Sequence, residues 1–251
     1  MTKTSRRNLI TAGLATTAGV AVAARLAEQY GLVPPDNGGV YGPGETLTYA
    51  AQRLLTGSSL AREFPTSKIS KSPYPNGKPP TDELFTRQQA NNFADWKLSV
   101  QGMVARPATY SLAELRGLPS KTQITQLACE EGWSYIAEWI GVPLSHILNL
   151  AGVLPQAKYV VYGSIPIKRR RWDSVDLDEA MHPQTLITYS MNGGDLPVGY
   201  GGPLRLRVPR QLGYKSIKFM TTITVTDSLK GIGKGRGSSA ADGAYSWYAG
   251  I

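Results

Sequence analysis

Residues 126–133 form the octapeptide Gln-Leu-Ala-Cys-Glu-Glu-Gly-Trp, which carries Cys129, the only cysteine of the 251-residue chain. The run before it, Lys121 to Ala128, has the pattern of a strand, and Gly132 is typical of a turn. Cys129 is therefore expected at the end of a strand. Because a single thiol cannot form an intramolecular disulfide, three uses remain open: core packing, nucleophilic attack, or binding of a soft metal.

The two histidines of the chain narrow these uses. His146 is expected on a helix, and His182 precedes Pro183 at a helix end, where we predict a capping role. Two histidines and one cysteine are too few ligands for a structural zinc site. A cysteine-nucleophile enzyme would need a histidine base beside Cys129, and neither histidine stands at a familiar spacing from it.

Short strands alternate with short helices on both sides of Cys129. Ser111 and Glu114 have the spacing of a capping box, and Pro143 is placed as the first residue of a helix that ends at Gly152. This mixture predicts an α+β fold with irregular connections. The remaining elements that we expect are strands at 96–100, 121–128, 159–162, 185–191, 204–208 and 221–226 and a helical stretch at 176–181.

The N-terminus is typical of an export signal. Arg6 and Arg7 precede an apolar stretch of small residues at 9–24, which is the pattern of a twin-arginine signal. Residues 21–23, Ala-Val-Ala, form a cleavage motif, and an uncleaved segment would instead anchor the protein to the membrane. This route exports folded proteins, so the signal also predicts a cofactor inserted before export.

Composition divides the chain into four parts. After the signal, residues 1–28, a segment rich in proline and glycine at 29–90 is expected to wrap the domain as an extended arm, with at most a short helix near 48–55. We assign residues 91–228 to the core. Residues 229–251 form a Gly-rich tail whose last aromatic residues are placed to dock back onto the core.

The formal net charge of +9 favours an anionic ligand or cofactor. No basic run alternates with aromatic residues, so nucleic acid is not an expected partner. The cationic run at 168–171 either gathers an anionic substrate or forms a solvated loop.

Motifs spread collinearly from Asn91 to Lys218 resemble the molybdopterin-dependent oxidoreductases of the sulfite-oxidase fold. The resemblance is strongest to their single-domain periplasmic branch, which includes catalytic subunits of bacterial protein-methionine-sulfoxide reductases. The motifs are Asn91-Asn92-Phe93, Cys129-x-Glu131-x-Trp133-Ser134, Trp139-x-Gly141-Val142-Pro143-Leu144, Asp178-Glu179-Ala180-Met181-His182-Pro183, Leu196-Pro197, Gly201-x-Pro203-x-Arg205-Leu206, Pro209 and Gly213-Tyr214-Lys215-Ser216-Ile217-Lys218.

The resemblance implies a molybdenum–molybdopterin cofactor with Cys129 as the thiolate ligand of the metal. It also implies that Cys129 and Tyr200 belong to the catalytic centre. A soft sulfur suits such a metal, and basic surroundings are expected to lower the pKa of the thiol. The residues that the resemblance implies for cofactor binding are Asn91, Ala94, Asp95, Ser164, Tyr200, Arg205, Ser216, Ile217 and Lys218.

The pterin ends in a phosphate, and the end of the motif set offers the groups that an anion needs. Arg205 supplies a guanidinium fork, Ser216 a hydroxyl and Lys218 an ammonium, with the amides of a turn beside them. The alternative for Arg205 and Lys218 is a solvated strand face, because residues 205–208 alternate as such a strand would.

The chain departs from the family pattern at the predicted site. Tyr200 stands where the reductase branch usually has Asn and the sulfite-oxidase branch His. Ala94 and Asp95 replace a usual Tyr and Glu, and Ser164 replaces a common Thr. The substrate is therefore not carried over from the family.

The implied function is two-electron oxygen-atom transfer on a small substrate by an exported, monomeric oxidoreductase with one molybdenum per chain. Within this class, we predict S- or N-oxide reduction, and sulfite oxidation is the alternative. The hypothesis from another class is a non-catalytic module that binds the cofactor or an anion. The chain has no Cys-x-x-Cys-His haem motif. Electrons are therefore expected to pass through a separate carrier, such as a membrane haem protein or a periplasmic cytochrome.

Overall fold

The computed structural model describes residues 25, 27–29, 31–39, 42–168 and 171–251. Arg6, Arg7 and the apolar stretch that predicted export lie outside the described residues, as do positions 169 and 170 of the cationic run. In the described part of the chain, no helix combines the length and the hydropathy that a bilayer crossing requires. The four-part division of the chain stays a prediction.

The described strands form two sheets of five strands each. In the first sheet the order is β2-β1-β10-β5-β6, where only the β1–β10 pair is parallel. In the second sheet the order is β3-β4-β7-β8, and β9 also pairs with β7. The strands are β1 Lys97–Gly102, β2 Ala108–Ser111, β3 Lys121–Ala128, β4 Ser134–Pro143, β5 Tyr159–Ser164, β6 Trp172–Asp176, β7 Leu186–Met191, β8 Gly194–Asp195, β9 Arg205–Arg207 and β10 Met220–Thr226.

Short helices connect and flank the sheets, which confirms the α+β class. The capping box is formed, because the Ser111 hydroxyl accepts from Glu114 N and Ser111 N donates to the Glu114 carboxylate. The α-helices are α1 Gly42–Thr56, α2 Glu83–Ala90, α3 Leu112–Gly117, α4 Leu144–Ala151, α5 Leu177–Met181 and α6 Ser239–Asp242.

The structure corrects three expectations about these elements. The arm contains a 15-residue helix, α1, where only a short one was expected; Pro43 lies in its first turn, where a missing N–H costs no hydrogen bond. Pro143 precedes α4 as its N-cap residue instead of opening it, although the helix does end at Gly152, which has a positive φ of 69°. Strands β2, β4, β6 and β8 were not predicted.

The apolar core lies between the two sheets. Its largest cluster combines side chains of the first sheet, such as Leu98 and Val160, with side chains of the second, such as Val142 and Ile187. A second cluster lies against the β3–β4 hairpin and contains Tyr135 and Trp139, with Trp133 and Tyr200 packed on it. The Cys129 loop is thus supported by aromatic rings on the side of the second sheet.

The C-terminal tail and the arm pack together on the outside of the first sheet. Trp247 is 2% exposed and its ring lies 5.7 Å from that of Tyr49 in α1. Its carbonyl accepts a 2.8 Å hydrogen bond from Lys215 Nζ, which also pairs with Asp173. The expected docking of the terminal aromatics is therefore observed for Trp247, and Tyr248 joins the same cluster.

Two acidic side chains hold this tail through one backbone amide. Trp247 N donates to Asp36 Oδ2 at 2.6 Å and to Glu45 Oε1 at 3.1 Å. Burial, followed by the hydrogen bond and charge of Asp36, raises the pKa of Glu45 to about 8. Glu45 therefore binds a proton at neutral pH in the folded chain.

We predict that Glu45→Gln removes a pH dependence of stability. Between the ordinary pKa of 4.5 and the folded value of about 8, the folded chain binds a proton that the unfolded chain releases. The free energy of unfolding of the wild type should therefore fall as the pH rises through this window, and the variant should lose this contribution. Urea unfolding at several pH values measures it, with Glu83→Gln on the surface as the control; equal pH slopes in wild type and Glu45→Gln would contradict the prediction.

Candidate active site

Cys129 lies in the loop of the β3–β4 hairpin. The two strands pair in unbroken register from Lys121↔Gly141 to Ala128↔Ser134. Cys129 N donates to Trp133 O at 2.9 Å, and Gly132, with φ of 89°, closes the turn by donating to Cys129 O at 3.1 Å. The long hairpin thus fixes the position of a side chain that is only 9% exposed.

The expectation that the surroundings lower the pKa of Cys129 is wrong. Burial raises the pKa of this thiol to about 11, and a hydrogen bond to Glu130 Oε2 at 3.1 Å and the charges of Glu130 and Glu131 act in the same direction. The charges that act most on this thiol are thus the two carboxylates next to it in sequence. A thiolate at this position therefore needs a directly bound cation, which is what a metal ligand has.

Arg205 connects the Cys129 loop to the predicted cofactor residues. Its Nε donates to Ser216 O at 3.1 Å and its Nη1 to Tyr200 O at 2.8 Å. Burial lowers its pKa, and the charges of Tyr135 and of Cys129 oppose this shift. Since Arg205 is 4% exposed, the alternative of a solvated strand face is excluded for it.

Arg207 is a buried cation that the sequence reasoning did not assign to the site. It is fully buried, and its Nη2 donates to Thr125 Oγ1 and to Gln126 O on β3. Its Nη1 donates to the Ser216 hydroxyl at 3.2 Å, while its Nε has no partner among the described residues.

Burial, then the charge of Arg205, lowers the pKa of Arg207 to about 9. The sequence did contain a signal for Arg207, because side chains two residues apart on a strand lie on the same side, and Arg205 was already assigned to the site.

The ring of Trp139 contacts both guanidinium groups. The guanidinium carbon of Arg205 lies 5.7 Å from the ring centroid and that of Arg207 lies 4.8 Å from it. Such contacts partly offset the desolvation of a cation, but they do not neutralise its charge.

Lys218 is the third cation of the site. Its Nζ donates at 2.6 Å to Gly199 O and at 2.6 Å to Asn76 O in the arm. Burial, followed by the charges of Arg205 and Arg171, lowers its pKa to about 7. Gly201, with φ of 109°, must be glycine here, because a Cβ would lie 2.8 Å from the Lys218 side chain.

Within the described residues, no carboxylate forms an ion pair with Arg205, Arg207 or Lys218. Their hydrogen bonds go to neutral carbonyl and hydroxyl groups. Buried cations without a counter-charge are unfavourable. The cluster therefore fits a bound anion with several acceptor oxygens, as a phosphate-bearing pterin would supply.

The other predicted residues lie around the segment that follows Lys218. Ser164 is 3% exposed, pairs with Met220 across the first sheet, and accepts from Arg171 N at 3.0 Å. Ile217 contributes its carbonyl, which accepts from Leu206 N at 3.0 Å. The cationic run at 168–171 thus ends beside the candidate site.

Asn91, Ala94 and Asp95 form an exposed turn after α2. Asn91 Nδ2 donates to Asp95 Oδ2 at 2.6 Å. Directly after this turn, the Trp96 indole donates to Met220 O at 2.9 Å, which places the turn near the start of β10. The cofactor-binding role of this turn stays a prediction, whereas Tyr200, Arg205 and Ser216 are joined by direct hydrogen bonds.

The family profile of the oxidoreductase molybdopterin-binding domain matches residues 86–231. The chain belongs to this family. It is therefore a molybdopterin-binding oxidoreductase, and the match covers all of the residues discussed above from Asn91 to Lys218. The membership implies a molybdenum–molybdopterin cofactor, in agreement with the acceptor that the buried cations require.

Two relatives of this molybdopterin-binding domain are methionine-sulfoxide reductase subunits by name. The putative protein-methionine-sulfoxide reductase subunit YedZ1 of Azospira oryzae is 36% identical over 197 residues, which are 78% of this chain and 70% of that protein. The protein-methionine-sulfoxide reductase catalytic subunit MsrP of Ralstonia nicotianae is 34% identical over 145 residues, or 53% of this chain. The chain spans 44% of the length of that MsrP.

The fold of the domain is found in a solved structure, the sulfane dehydrogenase SoxCD of Paracoccus pantotrophus. The two chains superpose with a TM-score of 0.50 at 24% identity, over 54% of this chain and 39% of that one. This likeness shows the sulfite-oxidase type of fold and nothing about the substrate.

We predict that sulfate stabilises the cofactor-free protein and that the effect requires Lys218. Because the folded pKa of Lys218 is about 7, its ammonium is charged at pH 6 and mostly neutral at pH 8.5, whereas the charge of sulfate does not change. The rise in Tm with sulfate should be larger at pH 6 than at pH 8.5.

In Lys218→Met, the stabilisation by sulfate at pH 6 should shrink to its value at pH 8.5. Lys158→Met, at an exposed position, is the matched control and should behave as the wild type. Equal sulfate effects at both pH values in the wild type would show that Lys218 does not take part in anion binding.

Proposed function

We propose that this oxidoreductase is an exported sulfoxide reductase that uses one molybdenum–molybdopterin cofactor per chain. The observation that carries the proposal is the cluster of Arg205, Arg207 and Lys218, which are buried or half-buried without a carboxylate partner beside the only cysteine. The names of the relatives support the direction of the reaction, because both contain methionine-sulfoxide reductase.

Cys129 would hold the metal through its thiolate. Arg205, Lys218, the Ser216 hydroxyl and the backbone of Ile217 would bind the phosphate end of the pterin. Asn91, Ala94, Asp95, Ser164 and Tyr200 would border the rest of the cofactor. When bound, the group supplies a two-electron redox centre that can accept an oxygen atom from a substrate. The overall reaction converts a sulfoxide, two electrons and two protons into a thioether and water.

The residues of this chain would bind and orient the reactants. The Tyr200 side chain is held by a 2.7 Å hydrogen bond from its hydroxyl to Pro73 O, and its carbonyl holds Arg205. The rings of Tyr135 and Trp139 pack with Leu127 and Trp133 at the two ends of the Cys129 loop and would keep water from its inner side. Methionine sulfoxide in proteins is the substrate that the names of the relatives favour.

We further propose that the protein is periplasmic and receives electrons from a separate carrier, either a membrane haem protein or a periplasmic cytochrome. The twin-arginine pattern at Arg6 and Arg7 supports export. The chain carries no haem-attachment motif of its own. The boundaries 1–28, 29–90, 91–228 and 229–251 belong to the same proposal, as does the monomeric state.

We predict that Cys129→Ser abolishes turnover and changes or removes the bound molybdenum. Changes outside the ligand set of a metal typically cost about 10–100-fold in affinity or activity, so the loss of a ligand should exceed about a hundredfold. Elemental analysis and pterin fluorescence on protein from a molybdate-replete host measure metal and cofactor separately. Unchanged metal content together with wild-type turnover would refute the ligand role.

The same preparation distinguishes reduction from oxidation. A sulfoxide that reoxidises the reduced centre in stopped-flow mixing supports the proposal, whereas bleaching of the oxidised centre by sulfite supports a sulfite oxidase. A wild type that purifies without molybdenum and pterin would instead indicate a binding module.

A further inference from the structure

A tetrapeptide of the arm, Pro73-Tyr74-Pro75-Asn76, lies across the candidate site and is not explained by cofactor binding. At one end, Pro73 O accepts the Tyr200 hydroxyl at 2.7 Å. At the other end, Asn76 O accepts Lys218 Nζ at 2.6 Å. Between them, the position of a Cβ on Gly199 would be 3.5 Å from Pro75. The tetrapeptide is thus fastened to the side of the site formed by residues 199–218.

The side chain of Tyr74 extends from this tetrapeptide to the Cys129 loop. Its ring centroid is 5.1 Å from that of Trp133, the last residue of the loop, at an interplanar angle of 59°. Trp133 is itself held, because its indole donates to Glu131 Oε2 at 2.8 Å and its ring stacks on Tyr135 at 6.0 Å. The two rings therefore form one aromatic surface at the end of the Cys129 loop.

This surface faces solvent and is rigid. Tyr74 is 54% exposed, so about half of its side chain is accessible to a ligand. Prolines on both sides restrict the backbone, since each fixes its own φ and Pro75 also confines Tyr74 to extended conformations. Little conformational entropy is then lost when a ligand contacts the ring.

We infer that Tyr74 and Trp133 form the binding surface for the stem of a methionine sulfoxide side chain and the peptide that carries it. The inference rests on the proposed function. The methyl and methylene groups beside the sulfur are apolar and the sulfur is polarisable, so they pack well on aromatic rings. When the methionine sulfoxide side chain extends into the site, its peptide backbone stays at the surface, where Tyr74 is exposed. Dimethyl sulfoxide has no such extension and does not need the surface.

The test compares two substrates on the purified holoenzyme, with a reduced dye as electron donor. The substrates are a short unstructured peptide containing one methionine sulfoxide, and dimethyl sulfoxide. For Tyr74→Ala we expect KM for the peptide to rise about fivefold or more with kcat unchanged, and KM for dimethyl sulfoxide to change less than about twofold. Tyr74→Phe keeps the ring and should restore the KM for the peptide.

Tyr245→Ala is the matched control. Tyr245 is 45% exposed and contacts a single ring, that of Tyr214 at 5.4 Å, in the C-terminal tail. This variant should leave both KM values unchanged. If Tyr74 only fastens the arm, Tyr74→Ala will lower Tm and affect both substrates alike, which overturns the inference.

The outcomes separate the two proposals. A wild type that reduces neither sulfoxide refutes the proposed function. A wild type that reduces both, with a peptide-to-dimethyl-sulfoxide KM ratio that Tyr74→Ala does not change, leaves the function in place and refutes the role of Tyr74. A wild type that reduces dimethyl sulfoxide alone also refutes that role.

Discussion

The site depends on positive charge that the protein buries without neutralising it. The guanidinium groups of Arg205 and Arg207 both lie against the ring of Trp139, and they donate only to carbonyl and hydroxyl groups. An arrangement of this kind is unfavourable for a protein on its own. It becomes favourable when a multivalent anion is bound. Strand β9, which carries both arginines, is therefore central to the site.

The second sheet brings the charge and the cysteine together, because it contains both β9 with the two arginines and β3, which leads to Cys129. Arg207 donates to Gln126 O on β3, three residues before Cys129, and its other nitrogen holds the Ser216 hydroxyl. One side chain thus connects the strand that leads to the cysteine with the turn that leads to Lys218. The aromatic cluster behind the hairpin keeps water away from this connection and strengthens each hydrogen bond in it.

The arm has a role that its composition did not indicate. Its helix α1 is anchored by Arg53, which pairs with Asp176 and Glu179 at α5, and Glu179 also pairs with Arg210. From this anchor the chain continues to the tetrapeptide that contacts Tyr200 and Lys218. An extended arm can reach both the back of the first sheet and the mouth of the site, because proline-rich chain spans distance with few internal contacts.

Local patterns determined much of this protein from sequence alone. The capping box at Ser111, the strand that ends before Cys129 and the helix stop at Gly152 depend on neighbours within a few residues, so they were predicted at or near their observed positions. The ordered motifs identified the family for the same reason, because each is a short run. Strand β4 was not predicted, although its burial alternates along most of its length. The sequence motifs within it indicated the family and not the strand.

Tertiary structure alone decided the electrostatics and the reach of the arm. The pKa of Cys129 rises because the thiol is buried and two carboxylates stand next to it, and burial cannot be known before the chain is packed. The participation of Arg207 and the contact of Tyr74 with Trp133 join residues far apart in sequence. Such pairs form only when distant strands of the second sheet and the arm are packed together, whereas the sequence shows only which residues are available.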